Sequence, residues 1–194
     1  FPMQELRERI VKEGKVLPGN IIKVDGFLNH RIDTELMEHI AVEFGKHFNM
    51  DEVTVVLTAE ASGIALAAVV AHHFHKPMIF AKKAKSDNIE GGLYQSDIFS
   101  YTYKKKVTLL VSKEWLCADD KVLIVDDFMA NGEAMRGLCD IVSTAGATLV
   151  GIGCAVEKGF QGGGDRLRAA GVNLKSLAII ESAEPGNIVF RDED

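Results

Sequence analysis

A set of short apolar runs, continuous rather than alternating, most constrains what this chain can fold into. Residues 53–57, 78–80, 107–111, 122–125, 149–156 and 177–180 read this way. A strand wetted on one face alternates apolar and polar residues, whereas a strand buried on both faces does not. The runs therefore predict an α/β fold, a mostly parallel twisted sheet flanked by helices. Helical patterns fall between them. Residues 4–15 set Leu6, Ile10 and Val11 on one face, a 3.6-residue period. Asp33 is placed to cap a helix in which Leu36, Met37, Ile40, Ala41, Phe44 and Phe48 recur at helical spacing. A small-residue helix follows the turn at 59–63 and ends near His75, and another covers 133–144 before Gly146. Glu184-Pro185-Gly186-Asn187 signals a late hairpin turn.

Composition narrows the function classes. Lys and Arg number 22 against 28 Asp and Glu, a net charge of −6. That balance argues against a nucleic-acid partner, which needs a basic face. No apolar run approaches the roughly 18 residues of a membrane span. No repeat or linker interrupts the 194 residues, which suit a single domain over 1–194. Phe1-Pro2 ahead of Met3 reads as an appended scar, with Met3 the native start. Cys117, Cys139 and Cys154 form no C-x-x-C pair. They are expected to be buried thiols in a reducing, cytoplasmic setting.

One segment departs from the pattern. Residues 86–103 hold no continuous apolar run, but they contain Gly91-Gly92 and the aromatics Tyr94, Phe99, Tyr101 and Tyr103. Lys82, Lys83 and Lys85 precede it, and Lys104, Lys105 and Lys106 follow it. In an acidic chain this is a local basic focus. Two readings stand: a solvated hairpin, or a flexible lid over a polyanionic substrate.

The most informative string is Val122-Leu123-Ile124-Val125-Asp126-Asp127-Phe128-Met129-Ala130-Asn131-Gly132-Glu133-Ala134. A buried strand ends in two acids, a small-residue loop follows, and a helix begins. Ligands of parallel sheets bind at the C-terminal strand edge. A helix N-terminus offers free N–H groups and positive potential to a phosphate. Two carboxylates beside a phosphate make sense if they hold hydroxyls or a cation, and a ribose diol with Mg²⁺ satisfies both. A Walker-B reading lacks its G-x-x-x-x-G-K-[ST] partner, and no G-x-G-x-x-G occurs. Ser62 lacks the G-x-S-x-G of a hydrolase nucleophile. His72, His73 and His75 tempt as metal ligands, but no third ligand is suggested nearby. Trp115 and Met129 read as packing residues.

The string resembles the phosphoribosyl-diphosphate (PRPP) motif of type I phosphoribosyltransferases, and the resemblance extends over nearly the whole chain. Within that family it is most similar to the bacterial branch that uses xanthine. The matching pieces are residues 23–30 (KVDGFLNH), 60–64 (EASGI), 127–132 (DFMANG) and 156–161 (VEKGFQ). The resemblance implies a type I phosphoribosyltransferase fold with a flexible hood at 86–103 and a small base-binding hood from the N- and C-terminal segments. It implies that Ala130, Asn131, Gly132, Glu133 and Ala134 hold the 5′-phosphate of PRPP, with Asp126 and Asp127 serving the ribose hydroxyls and Mg²⁺. It places Glu60, Ala61, Ser62 and Gly63 at pyrophosphate, with Lys82 or Lys83 nearby. It assigns Ile22, Asn29, Lys158 and Phe160 to the purine, Asn29 at the 2-oxo and Lys158 at the 6-oxo group. Mg²⁺ would ride on PRPP rather than on a direct protein metal site. No dedicated catalytic base is evident.

Departures bear on the subclass. Hypoxanthine-guanine enzymes carry an Asp at the position of Ala130, and adenine enzymes a Glu downstream of a Ser-Tyr in the hood; Ser100-Tyr101 lacks it here. Gly162 stands where a proline is expected after Phe160-Gln161. The expected activity is transfer of the phosphoribosyl group of PRPP to xanthine, in a cytoplasmic homodimer. The alternatives are a guanine/hypoxanthine enzyme or a PRPP-sensing transcriptional regulator. A regulator would need a DNA-binding element, and the N-terminal residues ahead of 53–57 carry no basic recognition helix.

Overall fold

The computed structural model describes residues 3–84, 91–100 and 103–192. The elements in order are α1 (Gln4–Glu13), β1 (Lys15–Leu17), β2 (Ile21–Lys23), a π-helical turn (Asp25–Asn29), α2 (Thr34–His47), β3 (Val55–Ala59), α3 (Gly63–His73) and β4 (Met78–Ala84). Then come β5 (Leu93–Ser100), β6 (Lys105–Ser112), β7 (Lys121–Met129), α4 (Glu133–Thr144) and β8 (Thr148–Lys158). A 3₁₀ turn (Gly159–Gln161), α5 (Gly163–Ala169), β9 (Leu174–Glu184) and β10 (Asn187–Phe190) complete the chain.

Among the described residues an 8-stranded sheet has the order β10-β9-β8-β7-β3-β4-β6-β5. The pairs β9–β8, β8–β7, β7–β3 and β3–β4 are parallel, and both edges are antiparallel. The continuous apolar runs have a direct cause here. Leu123 and Val125 of β7 enter a core with α2 and α3, while Val122 and Ile124 enter another with α4. Every side chain of such a strand is covered, so none needs to be polar. Asp33 caps α2 as expected, accepting the Leu36 N–H at 3.1 Å. The turn at 184–187 joins β9 to β10.

Two expectations need correction, and one open reading gains detail. In the described part of the 86–103 segment, residues 93–100 pair with 105–112 along their whole length, the hairpin of the first reading. Its polar Ser96 is buried and bonded to Asp140 at 3.0 Å. A polar residue on the inward face hid the alternation that marks a half-wetted strand. Lys85, residues 86–90, Tyr101 and Thr102 lie outside the described residues, as do Phe1 and Pro2. Of the three cysteines only Cys154 is buried; Cys117 is exposed, because it sits in the turn before β7, where its N–H reaches Asp120. Trp115 is 68% exposed rather than packed, whereas Met129 is buried. The sequence reading also missed the β1–β2 hairpin. Its turn signal, Pro18-Gly19 followed by Asn20 at positive φ, was available.

Candidate functional site

β7 carries its two acids to the C-terminal edge of the sheet, where adjacent side chains find different partners. Asp127 is buried, and its Oδ1 accepts the Ser62 hydroxyl at 3.0 Å, which ties the start of α3 to β7. Its other oxygen, Oδ2, is buried without a protein donor among the described residues. Asp126 accepts the Asp127 N–H at 2.8 Å and lines a cavity of about 690 Å³. Burial, and then the neighbouring charge of Asp127, push the Asp126 carboxyl well above the usual range, with Lys83 opposing. A buried carboxylate oxygen lacking a donor, beside an acid that resists ionisation, is a place for a cation or a hydroxyl-rich ligand.

Residues 130–134 close the same cavity from the other side. Gly132 opens α4 at φ +82, a left-handed conformation that a branched residue tolerates poorly. The Asn131 side chain accepts the Glu133 N–H at 3.0 Å, fixing the entry into the helix. The Glu133 carboxylate turns instead to the hairpin. It accepts the Phe99 N–H at 3.0 Å and Arg136 Nε at 2.9 Å, and Arg136 holds it below its ordinary range. Behind the loop lies the start of α5. A Cβ on Gly163 would stand 2.5 Å from the Asn131 carbonyl. Gly162 is left-handed at φ +77, so the proline expected there could not fit, since its ring fixes φ near −65°.

The Glu60–Gly63 turn approaches from β3. The Glu60 carboxylate accepts the Lys83 N–H, and the Glu60–Ala61 peptide bond is cis. Ala61 and Ser62 are exposed, while Gly63 is buried. Lys82 and Lys83 divide. Lys83 lines the cavity with Lys105, Lys106 and Tyr103 of the hairpin. Lys82 is next along β4, where successive side chains alternate faces, and it is not among the lining residues.

The residues assigned to the purine form a looser set. Lys158 ends β8 half-buried, and its ammonium lies 5.7 Å from the Phe128 ring and 6.0 Å from the Phe160 ring. Burial lowers its pKa. It also donates to the Asn20 carbonyl at 3.2 Å, which brings the β1–β2 turn over it. Ile22 is 8% exposed and faces the core. Asn29 is half-buried at the end of the π-helical turn, and no hydrogen bond among the described residues joins it to Lys158. Sequence reasoning missed Phe128, although it lies within the quoted string. It also missed Thr58, whose hydroxyl is buried without a partner among the described residues.

The histidines gather no site. His72 and His75 stand with rings 6.5 Å apart, and His73 Nδ1 lies 2.9 Å from Glu38. Among the described residues no group of three or more His, Cys, Asp or Glu could hold a metal, and no helix is long and apolar enough to cross a membrane.

Comparison with known proteins is consistent across sequence and structure. The phosphoribosyl transferase domain family matches residues 27–170. A xanthine phosphoribosyltransferase of Bifidobacterium animalis subsp. lactis is 53% identical over 192 residues, covering 97% of this chain and 100% of that protein. A xanthine phosphoribosyltransferase of Lachnoclostridium phytofermentans is 50% identical over 193 residues, covering 98% of this chain and 100% of that one. Among solved structures, the adenine phosphoribosyltransferase of Giardia lamblia with 9-deazaadenine superposes with a TM-score of 0.75 at 21% identity. The match covers 92% of this chain and 98% of that one. The adenine phosphoribosyl transferase of Trypanosoma brucei gives a TM-score of 0.73 at 21% identity, over 90% of this chain and 78% of that one. These likenesses establish the sheet and helix arrangement.

Proposed function

This chain belongs to the phosphoribosyl transferase domain family, and from that premise we propose that it joins xanthine to PRPP. The products are xanthosine 5′-monophosphate and pyrophosphate. The bond from the ribose anomeric carbon to the pyrophosphate oxygen breaks, a bond from that carbon to xanthine N9 forms, and the N9 proton leaves. The observation that carries this reading is the cradle at the end of β7. Asp126 and a left-handed Gly132 at a helix N-terminus share one cavity, with Asp127 buried directly behind and bonded to Ser62.

The cavity and the elements around it each suit a part of the substrates. The 5′-phosphate takes the N–H groups at the start of α4, where the dipole favours anions. Asp126 and Asp127 take the ribose hydroxyls. Pyrophosphate lies between the 60–63 turn and Lys83, which neutralises charge as the leaving group departs. The Asp127 oxygen that lacks a donor fits Mg²⁺ carried by PRPP, and that ion would offset charge on the departing pyrophosphate. Lys158 donates to the 6-oxo group, Asn29 to the 2-oxo group, and Phe160 offers a stacking face. Xanthine is an acidic purine, so a nearby ammonium favours its anion, and a dedicated base is not required. The hairpin closing over the cavity would exclude water from an oxocarbenium-like ribosyl. A homodimer in the cytoplasm belongs to the same reading, and light scattering checks the assembly.

A panel assay tests the substrate. Free xanthine, guanine, hypoxanthine and adenine are each offered with PRPP and Mg²⁺, and nucleotide formation is followed. Xanthine should give the highest kcat/KM. A faster reaction with guanine or hypoxanthine replaces this reading with that of the neighbouring subclass.

A further inference from the structure

We infer that Arg166 of α5 is a positioning residue that sets the Asn131–Gly132 peptide for phosphate. The inference rests on the reading of residues 130–134 as the 5′-phosphate cradle. Arg166 lies outside the quoted motif and does not line the cavity. Its guanidinium reaches the loop from behind. Nη2 donates to the Asn131 carbonyl at 3.1 Å, and Nη1 lies 3.5 Å from the Gln161 carbonyl. In a trans peptide the C=O and the following N–H point in opposite directions. The only cis bond among the described residues is Glu60–Ala61. Holding the Asn131 carbonyl toward α5 therefore turns the Gly132 N–H away from α5 and toward the cavity. That N–H has no protein acceptor among the described residues.

Two further observations support the assignment. Gly163 packs on the same peptide so closely that a Cβ would meet Asn131 C at 2.5 Å and Gly132 N at 2.8 Å. One glycine and one guanidinium thus confine a peptide that Gly132, lacking a Cβ, could otherwise flip at little cost. The cation also biases the loop: the charge of Arg166 contributes to keeping the Glu133 carboxylate ionised. The second carbonyl, on Gln161, belongs to the turn that holds Phe160. Arg166 therefore joins the phosphate loop to the turn beside Lys158 through a single planar group, which a lysine cannot reproduce.

The test is calorimetric titration of the full chain with ribose 5-phosphate and, separately, with inorganic pyrophosphate, alongside thermal melts. Arg166→Met should weaken ribose 5-phosphate about tenfold, the scale of one charge-assisted hydrogen bond in a partly wetted setting. Pyrophosphate binding and Tm should stay unchanged. Arg166→Lys, which keeps the charge but not the planar bridge between the two carbonyls, should recover only a minor part of the loss. Unchanged ribose 5-phosphate affinity in Arg166→Met overturns the assignment, and so does an equal loss for both ligands, which marks a merely structural role. Gly132→Val is run in parallel. If it leaves ribose 5-phosphate binding intact, the cradle reading itself fails. If it abolishes binding while Arg166→Met changes nothing, only the role of Arg166 is removed.

Discussion

The residues proposed for phosphate and those proposed for the purine are built in opposite ways, and only the former line the cavity at the end of β7. The proposed phosphate cradle comes from consecutive residues, 126–134, against which the Asn131 side chain, Gly163 and Arg166 pack or bond. The purine set comes from three separated places: the N-terminal hairpin and π-helical turn, the end of β8, and the 3₁₀ turn after it. On the proposed reading, one is a backbone device for a group that every phosphoribosyl donor carries. The other is a collection of side chains on short elements, where a substitution alters choice without disturbing the sheet. A backbone cradle is hard to vary, and a side-chain pocket is easy to vary.

The junction between the two regions should give the largest effect. Glu157 is buried and receives Arg168 at 2.8 and 3.1 Å and the Ser176 hydroxyl at 2.6 Å. Arg168→Met leaves a buried carboxylate with a hydroxyl as its remaining side-chain donor, and should cost about 3 kcal/mol of stability. Urea unfolding measures it. A loss under about 1 kcal/mol would mean that α5 stands without the pair, as expected of surface pairs, and that the two regions are mechanically separate. Gly132→Val comes next and acts on the cradle alone. It forces a branched side chain to φ +82 against Gly163. PRPP affinity should fall about a hundredfold, equal to about 2.7 kcal/mol, with the fold kept. Near-normal affinity by calorimetry would show that the cradle is as forgiving as the purine side.

The same contrast explains what the sequence revealed. β7 and the loop were legible in place and α4 in its bounds, although the strand runs on past the acids to Met129, because strand, acids, glycine and helix are contiguous and each local signal agrees with the next. The reason for Gly162 was not legible, because its left-handed φ arises where α5 docks on the loop. Lys158 between Phe128 and Phe160 was only partly legible, since proximity of the rings depends on how β7 and β8 register. Strand β5 of the hairpin was not legible as a strand because its inward face carries Ser96 bonded to Asp140. Burial of a polar residue with a distant partner leaves no local periodic trace.

On the purine side the expected effect is smaller. Asn29→Ala should lower kcat/KM for xanthine more than for hypoxanthine, which lacks the 2-oxo group. An amide left unpaired by the lesser substrate is worth about 1–3 kcal/mol, so the gap between the two purines should narrow by about tenfold. An unchanged ratio, with both substrates equally impaired, would return Asn29 to a purely structural place at the end of its turn.

The smallest effect lies at the hairpin, which lines the cavity opposite residues 130–134 and is bonded to them through the Glu133 carboxylate. Glu133 accepts the Phe99 N–H, and Arg136 below it donates to the Asp97 carbonyl at 2.8 Å. α4 therefore carries the phosphate loop at its first turn and the hairpin along its exposed face. If the segment at 86–103 closes as a lid, PRPP with Mg²⁺ should slow its amide exchange, and the slowing should pass through Glu133. Glu133→Gln keeps the size and an acceptor but removes the charge that strengthens the bond, a change of about 0.5–1 kcal/mol at a partly exposed site. Hydrogen exchange at Phe99 should then be about two to five times faster in the liganded protein, with PRPP affinity changed less than twofold. Equal protection in free and liganded wild type would make the hairpin a fixed wall. Equal protection in wild type and Glu133→Gln would leave it a lid whose closure is not relayed by α4.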